Sequence, residues 1–317
     1  MAQLAEEVLR PAAQIVALGE AMVEFNQTRA AEPLFLRGFG GDTSNAIIAA
    51  ARQGARCRYL TRVGDDDFGR LLLQLWRDEA VDTSAVAVDA DAHTGVYFVS
   101  HGPAGHAFSY LRAGSAASRM RPGDFGDSAF AGARWLHVSA ISQAISASAC
   151  DTVFDAIERA RRGGATVSYD PNLRLRLWPL QRARAVIAAT VASCDLFLPS
   201  LDDAALLTGI TDPDSLADWA LERGAGAVAV KLGSAGCLVA DRTARCRIAG
   251  HPVAAVDATG AGDCFAGAML ARLAAGAALF DAARYANAAA ALTTAGFGAV
   301  APIPTRQQVH ALLDGGN

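Results

Sequence analysis

Short apolar runs alternate along this chain with longer stretches in which apolar residues return every three or four positions. The near-continuous runs at 15–18, 57–63, 135–139, 166–169, 196–198, 227–232 and 237–240 read as strands buried on both faces. The 3.6-residue period predicts helices over about 43–53, 67–78, 146–162, 181–192, 202–207, 214–222, 262–275, 279–295 and 305–312. Strands alternating with helices predict an α/β fold: three layers, a mostly parallel sheet with helices on both faces. In such sheets ligands bind beyond the carboxyl ends of the strands.

Two segments break the alternation. The stretch 24–39 is polar and irregular, and 94–110 reads as extended pieces joined by a hairpin at 101–105. Together, about 24–39 and 94–112 are expected to form a small β-sheet outside the main one. With no repeat, low-complexity tract or linker, residues 1–317 read as a single domain.

Composition narrows the function. Hydrophobic content of 52% with 19% charged residues marks a globular chain, and a net charge of −4 gives no reason to expect nucleic acid or an anionic membrane as partner. No apolar run is long enough for a membrane span, and Glu6 and Glu7 stand where a secretory leader is basic, then apolar. The six cysteines form no C-x-x-C pair and fit small buried hydrophobes in a reducing cytoplasm. Lys231 is the only lysine. Lying between Val230 and Leu232, it excludes a Walker A loop, and any Schiff-base chemistry would have to use it.

The most informative stretch is Asp257, Ala258, Thr259, Gly260, Ala261, Gly262 and Asp263, followed directly by a helical run. It reads as a tight turn into a helix start, with the amides of Gly260, Ala261 and Gly262 directed at an anion and Asp263 in the first turn. An anion cradle beside a carboxylate that can take a proton suits phosphoryl transfer to a hydroxyl. The bland alternative is an ordinary glycine-rich loop. A second glycine turn holds Gly41, Asp42 and Asn45. Asp42 can cap the helix there, or carboxylate and amide together can serve a polyhydroxylated ligand. The spacing is not a dinucleotide fingerprint, and no strong strand precedes it. Tyr110 and Arg112 share one side of an extended segment, and Arg174 follows the Asp170-Pro171-Asn172 turn at a strand's end. Two arginines converging on one pocket suit an acidic substrate; each taken alone is equally a surface residue.

The Asp257–Asp263 stretch resembles the C-terminal signature D-T-x-G-A-G-D of the ribokinase-like (PfkB) carbohydrate kinases, with Ala258 at the second position and Thr259 after it. The segment from Gly40 through Gly54 to Gly69 is similar to the family's N-terminal signature, and the resemblance runs from Gly19 to Thr305. It implies ATP and Mg²⁺ as cofactors and a sugar as substrate. It makes the small sheet a lid, the Gly40-Gly41 pair its hinge, and Asp42 and Asn45 holders of sugar hydroxyls. The wording around Tyr97, Tyr110, Arg112 and Arg174 resembles the 2-keto-3-deoxygluconate kinases within the family, which implies sugar-acid contacts from these four together with Gly41 and Asn45. Where relatives carry Asn-x-x-Glu, this chain has Ser200 and Asp203; Asp203 can hold hydrated Mg²⁺, or Ser200 simply caps a helix. The resemblance places Lys231, Gly233 and Gly236 on the nucleotide side and Asn287 near the adenine, and leaves open a K⁺ at Asp257 and association into a homo-oligomer. Three rivals stand beside a sugar-acid kinase: a neutral-sugar kinase of the same family, a Schiff-base aldolase using Lys231, and a non-catalytic sugar-binding regulator.

Overall fold

The computed structural model describes residues 12–29, 32–102 and 105–315. Glu6 and Glu7 lie outside the described residues, as do Pro103 and Ala104 of the expected hairpin turn. The chain opens with strands β1 (Ile15–Leu18), β2 (Met22–Gln27) and β3 (Phe35–Gly40), helix α1 (Asp42–Arg52), β4 (Cys57–Gly64) and α2 (Asp67–Asp78). Next come β5 (Val81–Asp82), β6 (Val86–Asp89), β7 (Val96–Gly102), β8 (Gly105–Leu111), β9 (Trp135–Ser139), α3 (Ala140–Ala144) and α4 (Ala147–Arg162). Then follow β10 (Thr166–Asp170), α5 (Leu180–Val191), β11 (Leu196–Phe197), α6 (Leu201–Thr208), α7 (Pro213–Glu222) and β12 (Ala227–Lys231). The last elements are β13 (Cys237–Asp241), β14 (Arg245–Ile248), α8 (Ala261–Ala274), α9 (Leu279–Thr293) and α10 (Arg306–Asp314). Every strand and helix expected from the apolar pattern is present, with ends shifted by two residues at most.

The main sheet runs β14-β13-β12-β11-β10-β9-β1-β4-β5, with β6 also on β4. Its pairs are parallel from β12 across to β5, and β13 and β14 continue it antiparallel. Burial on both faces explains the continuous apolar runs: Ile15 and Ala17 of β1 enter one core with α1, α2, α8, α9 and α10, while Val16 and Leu18 enter the other with α4, α5, α6 and α7. Parallel strands all end on one side, which carries Glu20 just after β1, Asp170 at the end of β10 and Lys231 at the end of β12.

The second sheet, β3-β2-β7-β8, corrects the reading of 24–39 as irregular. Val23 and Phe25 alternate with Glu24 and Asn26, a period-two pattern that an acidic residue on an inward face disguises. Glu24 is buried because it accepts a hydrogen bond from the Tyr97 hydroxyl on the neighbouring strand. The strand β3 therefore does precede the Gly41 turn. The edge strand β14 also escaped the apolar pattern, since its exposed arginines protect an open edge and leave little hydrophobic signal.

Candidate active site

Helix α8 begins where the chain turns through Gly260, whose φ of 77° and position 2.8 Å (at a Cβ) from the Ala299 carbonyl both require glycine. The Ala261 amide closes the turn onto the Ala258 carbonyl at 3.2 Å, so it is not one of the free donors expected there. Among the described residues the amides without a partner at this end are those of Gly260, Gly262 and Asp263. Asp263 lies in the first helical turn, half-buried, and its Oδ2 accepts from Asn45 Nδ2 at 2.8 Å. Burial first, then the charge of Asp42, pushes its carboxyl up to about 8.

Asn45 reaches Asp263 because α1 and α8 cross closely. A Cβ on Gly267 would stand 2.0 Å from the Ala46 carbonyl, so only glycine permits this approach. At the start of α1, one turn before Asn45, Gly41 is the N-cap at φ 121°, its Cβ position 2.4 Å from the Glu20 carbonyl. Asp42 is thus the first helical residue and not the cap. Its Oδ1 accepts from the Thr43 amide at 2.8 Å and its Oδ2 from Asn172 Nδ2 at 3.0 Å, while burial raises its carboxyl above the usual range. Asn45 Oδ1 is buried with no partner, an acceptor that a hydroxyl donor would satisfy.

Beside the start of α8, Lys231 Nζ donates to Asp170 Oδ2 at 2.5 Å, in a pair with side chains 15% and 5% exposed. The same ammonium lies 3.3 Å from the place a Cβ would take on Gly262, against the first turn of α8. Gly233, at φ 58°, has open space where a side chain would stand. Gly236 does not: a Cβ there would meet the Ile248 carbonyl at 2.0 Å, so backbone packing against β14 accounts for this glycine. Asn287 Nδ2 donates to the Ala249 carbonyl at 2.7 Å and fixes the loop after β14. Ser200 caps α6, accepting from the Asp203 amide at 3.2 Å, and Asp203 Oδ2 accepts from the Leu173 amide at 3.2 Å. Asp257 clamps its own loops, with Oδ1 accepting from the Thr259 amide and hydroxyl and Oδ2 from the Gly298 amide. No cluster of three or more His, Cys, Asp or Glu side chains able to hold a metal occurs among the described residues.

The opposite end is built from the second sheet. Tyr97 is buried, its hydroxyl on Glu24 and its ring stacked on Tyr110 at 5.6 Å. The Arg112 guanidinium donates to buried Glu20, which also accepts from Ser115 Oγ at 2.7 Å, and lies 5.7 Å from the Tyr110 ring centre. Arg174 is exposed and donates to the Leu173 carbonyl at 2.9 Å. Tyr97, Tyr110 and Arg112 are brought together, whereas no contact joins Arg112 to Arg174. Sequence reasoning missed Glu20, Glu24 and Asp170, the carboxylates that hold Arg112, Tyr97 and Lys231. Their signal is position: Glu20 and Asp170 stand at carboxyl ends of parallel strands.

A sequence model described as the pfkB family carbohydrate kinase matches residues 12–306. The 2-dehydro-3-deoxygluconokinase of Bacillus subtilis (strain 168) is 34% identical, the match covering 88% of this chain and 87% of that protein. The probable fructokinase-4 of Arabidopsis thaliana is 32% identical over 95% of this chain and 97% of its own length. A double mutant of the Vibrio cholerae O395 fructokinase, solved with fructose, ADP and potassium ion bound, superposes with a TM-score of 0.86 at 29% identity, covering 96% of this chain and 100% of that one.

Proposed function

The chain belongs to the pfkB family of carbohydrate kinases, and from that premise we propose that it transfers the γ-phosphoryl group of ATP to the terminal hydroxyl of a sugar acid, 2-keto-3-deoxygluconate. The observation that carries this reading is Asp263, a raised carboxyl in the same helical turn as the unpaired amides of Gly260 and Gly262. As the substrate oxygen bonds to the γ-phosphorus, the bond from phosphorus to the bridging oxygen breaks and ADP leaves with the electron pair. The hydroxyl proton passes to Asp263. The amides of Gly260 and Gly262 and the Lys231 ammonium stabilise charge on the migrating group; one well-placed donor of this kind is worth roughly 3–4 kcal/mol.

Gly41, Asp42 and Asn45 hold sugar hydroxyls in this reading, with the unpartnered Asn45 Oδ1 as the clearest open acceptor. Tyr97, Tyr110, Arg112 and Arg174 face the acid end. The loop at Gly233, with Ser200, Gly236 and Asn287 behind it, receives the nucleotide. Mg²⁺ keeps most of its waters and needs only one or two carboxylates beside the phosphates, so Asp203, which engages only Oδ2, fits it through water. Bound there, Mg²⁺ would neutralise phosphate charge. Asp257 has both oxygens occupied in its own loops, and no step is assigned to K⁺. Unpaired cysteines fit a cytoplasmic setting.

A second reading, a fructokinase, has its own observation: Arg112 is already neutralised by Glu20, and the charge of Arg174 already acts on Asp203, so neither arginine stands wholly free for a substrate carboxylate. A coupled ADP-release assay over 2-keto-3-deoxygluconate, fructose, ribose and nucleosides tests both. The proposal expects the highest kcat/KM for the sugar acid; fructose preferred by tenfold or more replaces it, and no turnover with any sugar removes it.

A further inference from the structure

Three carboxylates, Asp42, Asp170 and Asp263, meet at the head of the sheet, where the charge of Asp170 raises the proton affinity of the other two and that of Asp42 raises Asp263's, and the cation placed among them is Lys231. Lys231 is paired with Asp170 and not with Asp263. The sheet presets that choice, since β10 and β12 are parallel neighbours of β11 and deliver both side chains to the same edge. Asp170 is itself held, its Oδ1 accepting from the Asn172 amide at 3.1 Å. We infer that Asp170 is a positioning residue for the transfer: it parks the Lys231 ammonium beside Gly262 and away from Asp263, so that the cation serves the phosphoryl group while the base stays free to take a proton. This rests on the kinase reading of the site.

A lysine ammonium is a point charge on a flexible stem, and in a dry site it settles on whichever carboxylate is within reach. Were Asp170 lost, Asp42 would be poorly placed to receive it, already accepting from Thr43 and Asn172. Asp263 would remain, and an ion pair there would hold the base deprotonated and weaken it. The other titratable groups around Asp263 and Asp170 are Asp42 on α1, Asp203 on α6, His137 on β9, Tyr97 on β7 and Cys264 on α8. Burial lowers His137 to about 4, raises Cys264 to about 12 and raises Tyr97, so these three stay uncharged where the enzyme works.

The test is steady-state kinetics with Mg·ATP, at several pH values, of Asp170→Asn, Asp170→Glu, Lys231→Met and the Asp170→Asn/Lys231→Met double variant. Asp170→Asn should lower kcat at least tenfold and move the acid limb of kcat/KM to lower pH, because a negative charge leaves and a positive one approaches the base. Asp170→Glu should recover part of kcat. The decisive sign is non-additivity: Lys231→Met should cost less in the Asp170→Asn background than in the wild type. Wild-type kcat with an unmoved acid limb in Asp170→Asn, or additive losses in the double variant, overturns the inference. Should Asp170→Asn not fold, Asp170→Glu decides: its kcat must fall below the wild type's, and wild-type kcat with an unmoved acid limb overturns the inference. A wild type that phosphorylates no sugar overturns the kinase reading instead, so the two failures are distinguishable.

Discussion

The two ends of the cleft are built differently. At the Asp263 end the parts are pinned by backbone: Gly260 against Ala299 and Gly267 against Ala46. At the Tyr110 end, where the proposal places the sugar, side chains come from a second sheet and a loop, with Tyr110 40% exposed and Arg174 exposed. The same sheet exposes Leu36 at 67%, and Leu111 at 59%. Chemistry common to many sugars needs fixed donors, which rigid elements supply, whereas the choice of sugar is made by side chains that can change without disturbing the fold. Relatives named for different sugars at 34% and 32% identity fit that division.

The largest expected effect lies at the pinned end. Asp263→Asn should bind ATP as the wild type does and lose about 10²–10⁴-fold in kcat for every sugar, the usual worth of a general base; a variant above a tenth of wild-type kcat breaks the assignment. At the adjustable end, Arg174→Ala should raise KM for the sugar acid by roughly 10–100-fold, the worth of a charge-assisted hydrogen bond, with little change for fructose. Equal changes in both KM values would remove Arg174 from acid recognition. Gly267→Ala should cost about 1–3 kcal/mol in urea unfolding, since the added methyl must push α1 from α8. An unchanged midpoint would show that the close crossing is not needed.

A different kind of effect concerns stability against pH. The folded carboxyl of Asp263 titrates near 8 against an ordinary value of 3.8, so the folded state holds that proton more tightly than the unfolded chain does. Folding is therefore progressively disfavoured as pH rises from about 4 to about 8, and the penalty is full above that. Asp263→Asn escapes it. Its melting temperature should exceed the wild type's by a margin that grows between pH 5 and 8 and then levels off; a constant margin contradicts the raised carboxyl.

The same division governs what the sequence disclosed. Turns that demand glycine announce themselves, and the Gly260–Asp263 stretch could be placed as a helix start before any fold was known. The ion pairs could not. Arg112 meets Glu20 across 92 positions and Lys231 meets Asp170 across 61; the first pair joins the two sheets and the second follows from strand order in the main one, neither of which periodicity specifies. The second-sheet strand β2 was hidden because its inward Glu24 reads as polar until Tyr97 is known to sit beside it.

The division of labour is tested most directly by one ratio, kcat/KM for 2-keto-3-deoxygluconate over kcat/KM for fructose, measured in the wild type, Asp263→Asn and Arg174→Ala. The account predicts a ratio above one in the wild type, the same ratio in Asp263→Asn despite its loss of turnover, and a collapse toward one in Arg174→Ala. A ratio that shifts with Asp263 or ignores Arg174 would contradict it.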